Sequence, residues 1–238
     1  MGSMANSKII FNSKFYFLLV FLLQFFFTSY SQPKTLGCWL NYNNQVRFSK
    51  KTGFIFDYQY RNYTFIHDFE QSIIRGALYY RIEKFNLNFS AGAVYANTSK
   101  YNAQNDAKIN TDENRLFQQI LIGNHFGRVL INHRYRLEQR YFKVQDVLRF
   151  RYNLNIQCPI NKKEIVPGAV YLSLSNEIFF NNKNPHFDRF RTIAEIGYFI
   201  SPSFRVESGL LWQILEKSDR PQIRFSVLQT IDFSKKQQ

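Results

Sequence analysis

A two-residue rhythm running from about residue 37 to Phe233 limits what this chain can fold into more than any other feature. It is clearest between Val147 and Gln157. There Leu148, Phe150, Tyr152, Leu154 and Ile156 alternate with Arg149, Arg151, Asn153 and Asn155. A period of two places the two sets on opposite faces of a β-strand. One face is apolar, and the other carries guanidinium and amide groups. Two architectures accept such strands. A soluble sandwich turns the polar face to water and packs the apolar face on a second sheet. A membrane barrel turns the apolar face to lipid and the polar face to its lumen.

Eleven segments repeat the pattern, at roughly 38–47, 53–62, 69–81, 85–96, 113–125, 128–142, 146–157, 169–180, 188–200, 203–214 and 222–233. Most hold about 10–14 residues, long enough to cross a membrane when tilted, whereas sandwich strands commonly hold about 5–6. Length therefore favours an all-β, antiparallel up-and-down transmembrane barrel. Bacterial single-chain barrels normally have an even number of strands. The expected count is therefore twelve, with ten as the alternative. The longest connection is read at about 97–112, which is rich in Asn, Asp, Ser and Lys. Others fall near 159–167 and 181–185.

The N-terminus reads as a cleavable export signal. Lys8 and Lys14 precede the apolar run Phe15–Phe27, and Ser29-Tyr30-Ser31 supplies small residues two apart, so cleavage is expected after Ser31. The run is shorter than the ~20 residues a spanning helix needs. Residues 1–31 are thus a signal peptide and 32–238 a single barrel domain. Met1–Met4 is a candidate cloning remnant. Losing Lys8 and Lys14 lowers the formal net charge from +14 to +12. So basic a chain invites a nucleic-acid reading. Export argues against it, as does the placement of aromatics and arginines on opposite faces. Outer-membrane lipids, lipopolysaccharide phosphates and small anionic solutes are the expected partners. Barrel assembly machinery would engage the last strand, Gln229–Phe233, during biogenesis. Cys38 and Cys158 could pair only if their Cα atoms lie close.

Several phrases together resemble a known family. They include Gln59-Tyr60-Arg61-Asn62-Tyr63, Phe69-Glu70-Gln71 with Arg75-Gly76, Glu113-Asn114-Arg115, and Arg134-Tyr135-Arg136-Leu137-Glu138-Gln139-Arg140. Arg149-Phe150-Arg151-Tyr152, Asn176-Glu177-Ile178-Phe179 and Arg189-Phe190-Arg191 continue the series. Their order and spacing resemble the domain-of-unknown-function family numbered 2490. That resemblance implies exported, porin-like outer-membrane barrels of Gram-negative cells and carries no established reaction.

Strand parity gathers the charged residues in the lumen. The candidates for lining it or binding anions are Arg61, Arg75, Arg115, Arg134, Arg136, Glu138, Arg140, Arg149, Arg151, Glu177, Arg189, Arg191, Glu195, Arg205, Glu207 and Arg224. Asp57, Glu113 and Asp232 share their parity. A planar guanidinium stays charged inside a barrel and binds carboxylate or phosphate in two-point fashion. Two uses follow: a packed electrostatic plug in a structural barrel, or a small anion-selective pore. A lipid-modifying enzyme is the alternative. It would draw on His67, His125, His133 or His186 with Ser173, Ser175 or Ser208. The sequence holds no Gly-x-Ser-x-Gly elbow, His-Glu-x-x-His or Cys-x-x-Cys. No cofactor and no metal are expected, and the barrel is expected to be a monomer.

The parity assignment has a direct test. Leu154→Arg should impair assembly into membranes, because a cation at the lipid midplane costs ~2–4 kcal/mol. Asn155→Arg, one residue on, should be tolerated. Equal recovery of the two variants in folded, heat-modifiable form would overturn the assignment.

Overall fold

A computed structural model describes residues 36–102, 107–216 and 218–234. The expected export signal at 1–31, with its first four residues, lies outside them, as do 103–106 and the 235–238 tail. All eleven alternating segments form strands: β1 Gly37–Arg47, β2 Thr52–Asn62, β3 Phe69–Ile82, β4 Leu87–Tyr101, β5 Lys108–Phe126, β6 Val129–Tyr141, β7 Val147–Pro159, β8 Val170–Asn181, β9 Phe187–Ser201, β10 Phe204–Leu215 and β11 Asp219–Asp232. Each pairs with the next in antiparallel register, and β1 closes on β11. The closing pair is parallel, running from Gly37 opposite Gln222 to Arg47 opposite Asp232.

The expected twelve strands are therefore corrected to eleven, and a wholly antiparallel wall to a mixed one. The two corrections have one cause. Strands that alternate up and down return to the starting direction after an odd number, so the last can meet the first only in parallel. The expectation of an even count overrode the eleven segments that were legible. The long connection read at 97–112 is also corrected. β4 and β5 extend toward each other, with register pairs from Asn97 opposite Asp112 to Tyr101 opposite Lys108. Polar composition concealed strand because both faces of a hairpin that projects from the barrel rim can be hydrophilic.

Two rims result. At the first, where β1 begins, β2, β4, β6, β8 and β10 end, at Asn62, Tyr101, Tyr141, Asn181 and Leu215. At the second, where β11 ends, the connections span 48–51, 83–86, 127–128, 160–169 and 202–203. Cys38 stands near the first rim and Cys158 near the second, roughly 30 Å apart along the wall. Both thiols are free.

The exterior is apolar and aromatic. Leu78 is 64% exposed, Phe150 57%, Ile196 59% and Leu210 63%. Polar side chains on this outer face pair with each other across strands. His133 Nδ1 lies 2.9 Å from the Tyr152 hydroxyl, Gln139 Nε2 donates to Gln118 Oε1 at 2.9 Å, and Thr192 donates to Asn176 at 2.8 Å. At the seam, the Tyr42 hydroxyl and Asn44 Nδ2 both donate to Gln229 Oε1.

Glycine is required where an inward ring or a neighbouring backbone comes close. A Cβ on Gly197 would sit 2.2 Å from the Tyr171 ring. That ring is fully buried, and its hydroxyl donates to Glu207 at 2.8 Å. Gly197→Ala should push Tyr171 off Glu207 and cost about 1–3 kcal/mol, the usual range for overpacking. The check is the denaturant midpoint of the refolded barrel. An unchanged midpoint would mean that Tyr171 relaxes without loss.

Candidate functional site

Inward-facing side chains surround a cavity of about 570 Å³. Lys100, Thr111 and Arg189 line it toward the first rim, and Asn132, Gln157 and Leu228 toward the second. Eight strands close into a tube that side chains can fill, while sixteen leave an aqueous channel. Eleven lie between, and the cavity's size is typical of a small-molecule site.

Alternation delivers the charges. β6 contributes Arg134, Arg136, Glu138 and Arg140 from consecutive inward positions, and β7 contributes Arg149 and Arg151 beside them, with Glu138 opposite Arg149 and Arg136 opposite Arg151. Three carboxylates organise the result. Glu138 is fully buried and accepts from Arg149 Nε at 2.9 Å, Arg151 at 2.5 Å and Arg136 at 3.4 Å. Glu177 accepts from Arg134 and Arg151 at 2.7 Å and from Arg191 at 3.4 Å. Glu113 accepts from Arg115 at 2.7 Å and from Arg140 at 2.5 Å. Asp188 adds a fourth node, 3.0 Å from Arg149 and 3.2 Å from Arg189. Arg75 reaches Asp57 at 3.3 Å, and Arg224 reaches Glu195 at 3.1 Å.

Aromatic faces take guanidinium surface that the carboxylates leave uncovered. Arg136 lies 4.5 Å over Phe117, Arg151 4.5 Å and Arg191 5.0 Å over Phe179, and Arg61 3.6 Å over Trp39. Such stacking is worth about 0.5–2 kcal/mol, more where water is excluded. These rings correct the expectation that aromatics and arginines occupy opposite faces. Trp39, Phe117 and Phe179 have inward parity and are almost fully buried.

Of the sixteen residues expected in the lumen, Arg61, Arg75, Arg115, Arg134, Arg136, Arg140, Arg149, Arg151, Glu177, Arg189, Arg191, Glu195, Glu207 and Arg224 line the cavity. Glu138 lies beneath its surface. Arg205 is not part of the wall. It sits 5.0 Å over the Phe199 ring, toward the second rim. Asp232 pairs with Arg47 at that rim. Lys100, Glu70 and the acceptors Gln119 and Gln213 are not among those sixteen. Lys100 was hidden by the reading of 97–112 as loop. Parity finds Gln119 and Gln213, since they share faces with Arg115 and Glu207.

Among the described residues, eleven arginines and Lys100 line the cavity against six carboxylates, so with Glu138 added the interior remains net positive. At the first rim Lys108 bridges to Asp68, whose other oxygen accepts from the Tyr101 hydroxyl at 2.8 Å. Partial burial pushes the Asp68 carboxyl up, but Lys108 and Tyr101 outweigh it and hold the group below the usual carboxylate range.

The Ser–His pairing that a hydrolase would need does not form with His133. Its ring faces outward against Tyr152, whereas Ser173 and Ser175 are buried inside, accepting from Asn155 at 3.0 Å and Asn153 at 2.6 Å. Ser208 faces outward on β10, four strands from His133.

Glu138→Gln should be the costliest single change in the interior. It keeps the shape but removes the charge that three guanidiniums share, and breaking a buried pair costs roughly 3–5 kcal/mol. Arg47→Gln removes the exposed partner of Asp232 and should cost less than about 1 kcal/mol. Urea midpoints of the two variants compare them directly. A smaller loss for Glu138→Gln would show that the arginines find other acceptors.

No curated protein and no solved structure matches this chain. A family profile described as "protein of unknown function (DUF2490)" matches residues 36–224, which covers ten of the eleven strands and the start of the last. The chain belongs to that family of unknown function.

Proposed function

We propose that this chain is an exported outer-membrane barrel whose narrow, positively charged bore admits small anionic solutes. The observation that carries this reading is the pairing of an apolar exterior with a cavity lined by eleven arginines. An exterior bearing Leu78, Phe150, Ile196 and Leu210 at more than half exposure suits hydrocarbon. The mutual pairing of His133 with Tyr152 and of Gln118 with Gln139 supports the same environment, because an unpaired polar group facing lipid costs several kcal/mol. The export signal read at residues 1–31 accounts for the location.

Inside, a fixed cationic field in a low-dielectric wall raises the local concentration of anions. Guanidiniums already bonded to carboxylates cannot collapse onto an incoming solute, so the field persists without trapping it. A second reading is a plugged structural barrel. The shared carboxylates Glu113, Glu138 and Glu177 support that reading, since they tie the five neighbouring strands β5–β9 together on the inner wall.

Single-channel recording in planar bilayers under asymmetric salt separates the two. Steps with a reversal potential favouring anions are expected. Lys100→Glu changes the charge near the first rim by two units and leaves the three shared-carboxylate nodes in place, so it should move the reversal potential toward cations. Silent membranes, with insertion verified by heat-modifiable mobility, would favour the plug. A chain that fractionates with soluble proteins would overturn the membrane reading altogether.

A further inference from the structure

One sector of the bore is chemically unfinished. Along β2, β1, β11, β10 and β9, register places Arg61, Trp39, Arg224, Gly209 and Glu195 in one continuous row across the sheet. Asn41 lies two residues further along β1 on the same face. Gly209 has no side chain, so Arg224 reaches across β10 to Glu195 at 3.1 Å. Five polar atoms of this row and of Asn41 are buried without a hydrogen-bond partner: Trp39 Nε1, Arg61 Nε, Arg224 Nε, Asn41 Oδ1 and Glu195 Oε1; beside them Ser226 Oγ, opposite Asn41, and Arg191 Nε, whose guanidinium lies over Trp39, are unpartnered too. Trp39 is 3%, Glu195 6% and Asn41 7% exposed, and all five residues line the cavity.

Most buried polar groups in folded proteins have partners, and those without call for a physical explanation. Here the five divide into two kinds. Three are N–H donors, two of them on cations. Two are acceptors, one of them on a carboxylate. An inorganic anion could satisfy the donors, but it would face Asn41 and Glu195 with like-signed oxygens. A zwitterionic amino acid could satisfy both kinds, but its ammonium would enter a bore already in cationic excess. A hydroxyl donates to Glu195 and Asn41 and adds no positive charge.

We infer that this patch is a binding subsite for a small hydroxylated carboxylate, of the sugar-acid class. The carboxylate lies against the Trp39, Arg61 and Arg224 N–H groups, and hydroxyls donate to Asn41 and Glu195. The assignment rests on the reading of the bore as an anion-accepting cavity and names the chemistry it selects.

The test uses the refolded barrel carrying Trp212→Phe. This change removes the outward-facing indole and leaves Trp39 as the only tryptophan. Trp39 fluorescence and titration calorimetry are recorded with glucuronate, glucose, glycine and inorganic phosphate as probes. Saturable binding of glucuronate at least tenfold tighter than of each other probe is the expected result. Asn41→Leu, which removes one acceptor, should weaken it roughly five- to tenfold. Glu195→Gln serves as the second variant and should also weaken binding, by replacing a charged acceptor with a neutral one. Equal binding of phosphate and glucuronate would overturn the assignment in favour of a generic anion site. Equal binding of glucose would overturn the role of the cations. Absence of both a heat and a spectral change would also overturn it. Anion-selective conductance without glucuronate binding would defeat this inference and leave the pore standing. Binding without conductance would uphold the subsite and defeat the pore.

Discussion

Everything inside this barrel depends on a carboxylate being shared by more than one guanidinium. Eleven arginines could not line one cavity if each were left alone, since an uncompensated buried charge costs several kcal/mol. One carboxylate per arginine would instead give a neutral, filled core. Sharing solves both problems. Glu138 and Glu177 each meet three guanidiniums, and Arg151 touches both. The network is thereby continuous from β6 through β9. It also retains a positive surplus facing the cavity, where an ion pair's usual outcome would be cancellation. Phe117, Phe179 and Trp39 make this possible by covering guanidinium faces that have no anion.

Closure adds a second constraint. With eleven strands, β1 and β11 must run in the same direction, and parallel pairing is slightly weaker per residue than antiparallel. The seam is braced on both faces. Outside, Tyr42 and Asn44 hold Gln229 across it. Inside, Trp39 stands beside Arg224, which continues to Glu195. The unfinished polar patch therefore sits on the strands that close the barrel. A solute bound there would couple β1 to β9 through its own hydrogen bonds.

The fold was largely legible because a strand buried on one face and exposed on the other writes its parity into every second residue. Arg149, Arg151 and Asn153 against Leu148, Phe150 and Tyr152 need no further information. Parity assigned fourteen of sixteen candidate residues to the cavity wall. It failed where the two faces do not differ in polarity, as in the extended hairpin that carries Lys100 opposite Ile109. It was also set aside too readily where a ring faces inward. The general expectation that aromatics and arginines take opposite faces does not hold for Trp39, Phe117 and Phe179, whose positions put them inside. Which arginine meets which carboxylate was not legible at all. Arg140 bonds Glu113 from 27 residues away, a pairing fixed by the register of β5 on β6 and invisible in either strand alone.

The interior is also unequal along its length, and this bears on how a solute would move. The inward positions nearer the first rim carry Arg61, Arg115, Arg140, Arg149, Arg189 and Arg191. Those nearer the second rim carry Asn132, Asn155, Gln157, Ser173 and Tyr171, with Glu207 among them. An anion entering from the first rim would meet the cationic field at once. It would then pass to amides and hydroxyls that hydrogen-bond without strong attraction. Conduction requires binding favourable enough to enter and weak enough to leave. A graded bore meets both conditions in sequence, whereas a uniformly cationic one would retain the ion. The patch runs from Arg61 and Trp39, near the first rim, through Arg224 to Glu195 midway along β9, so one end of it lies among the arginines and the other in the middle of the wall. That position suits a ligand with a charged end and a hydroxylated end better than one carrying charge alone.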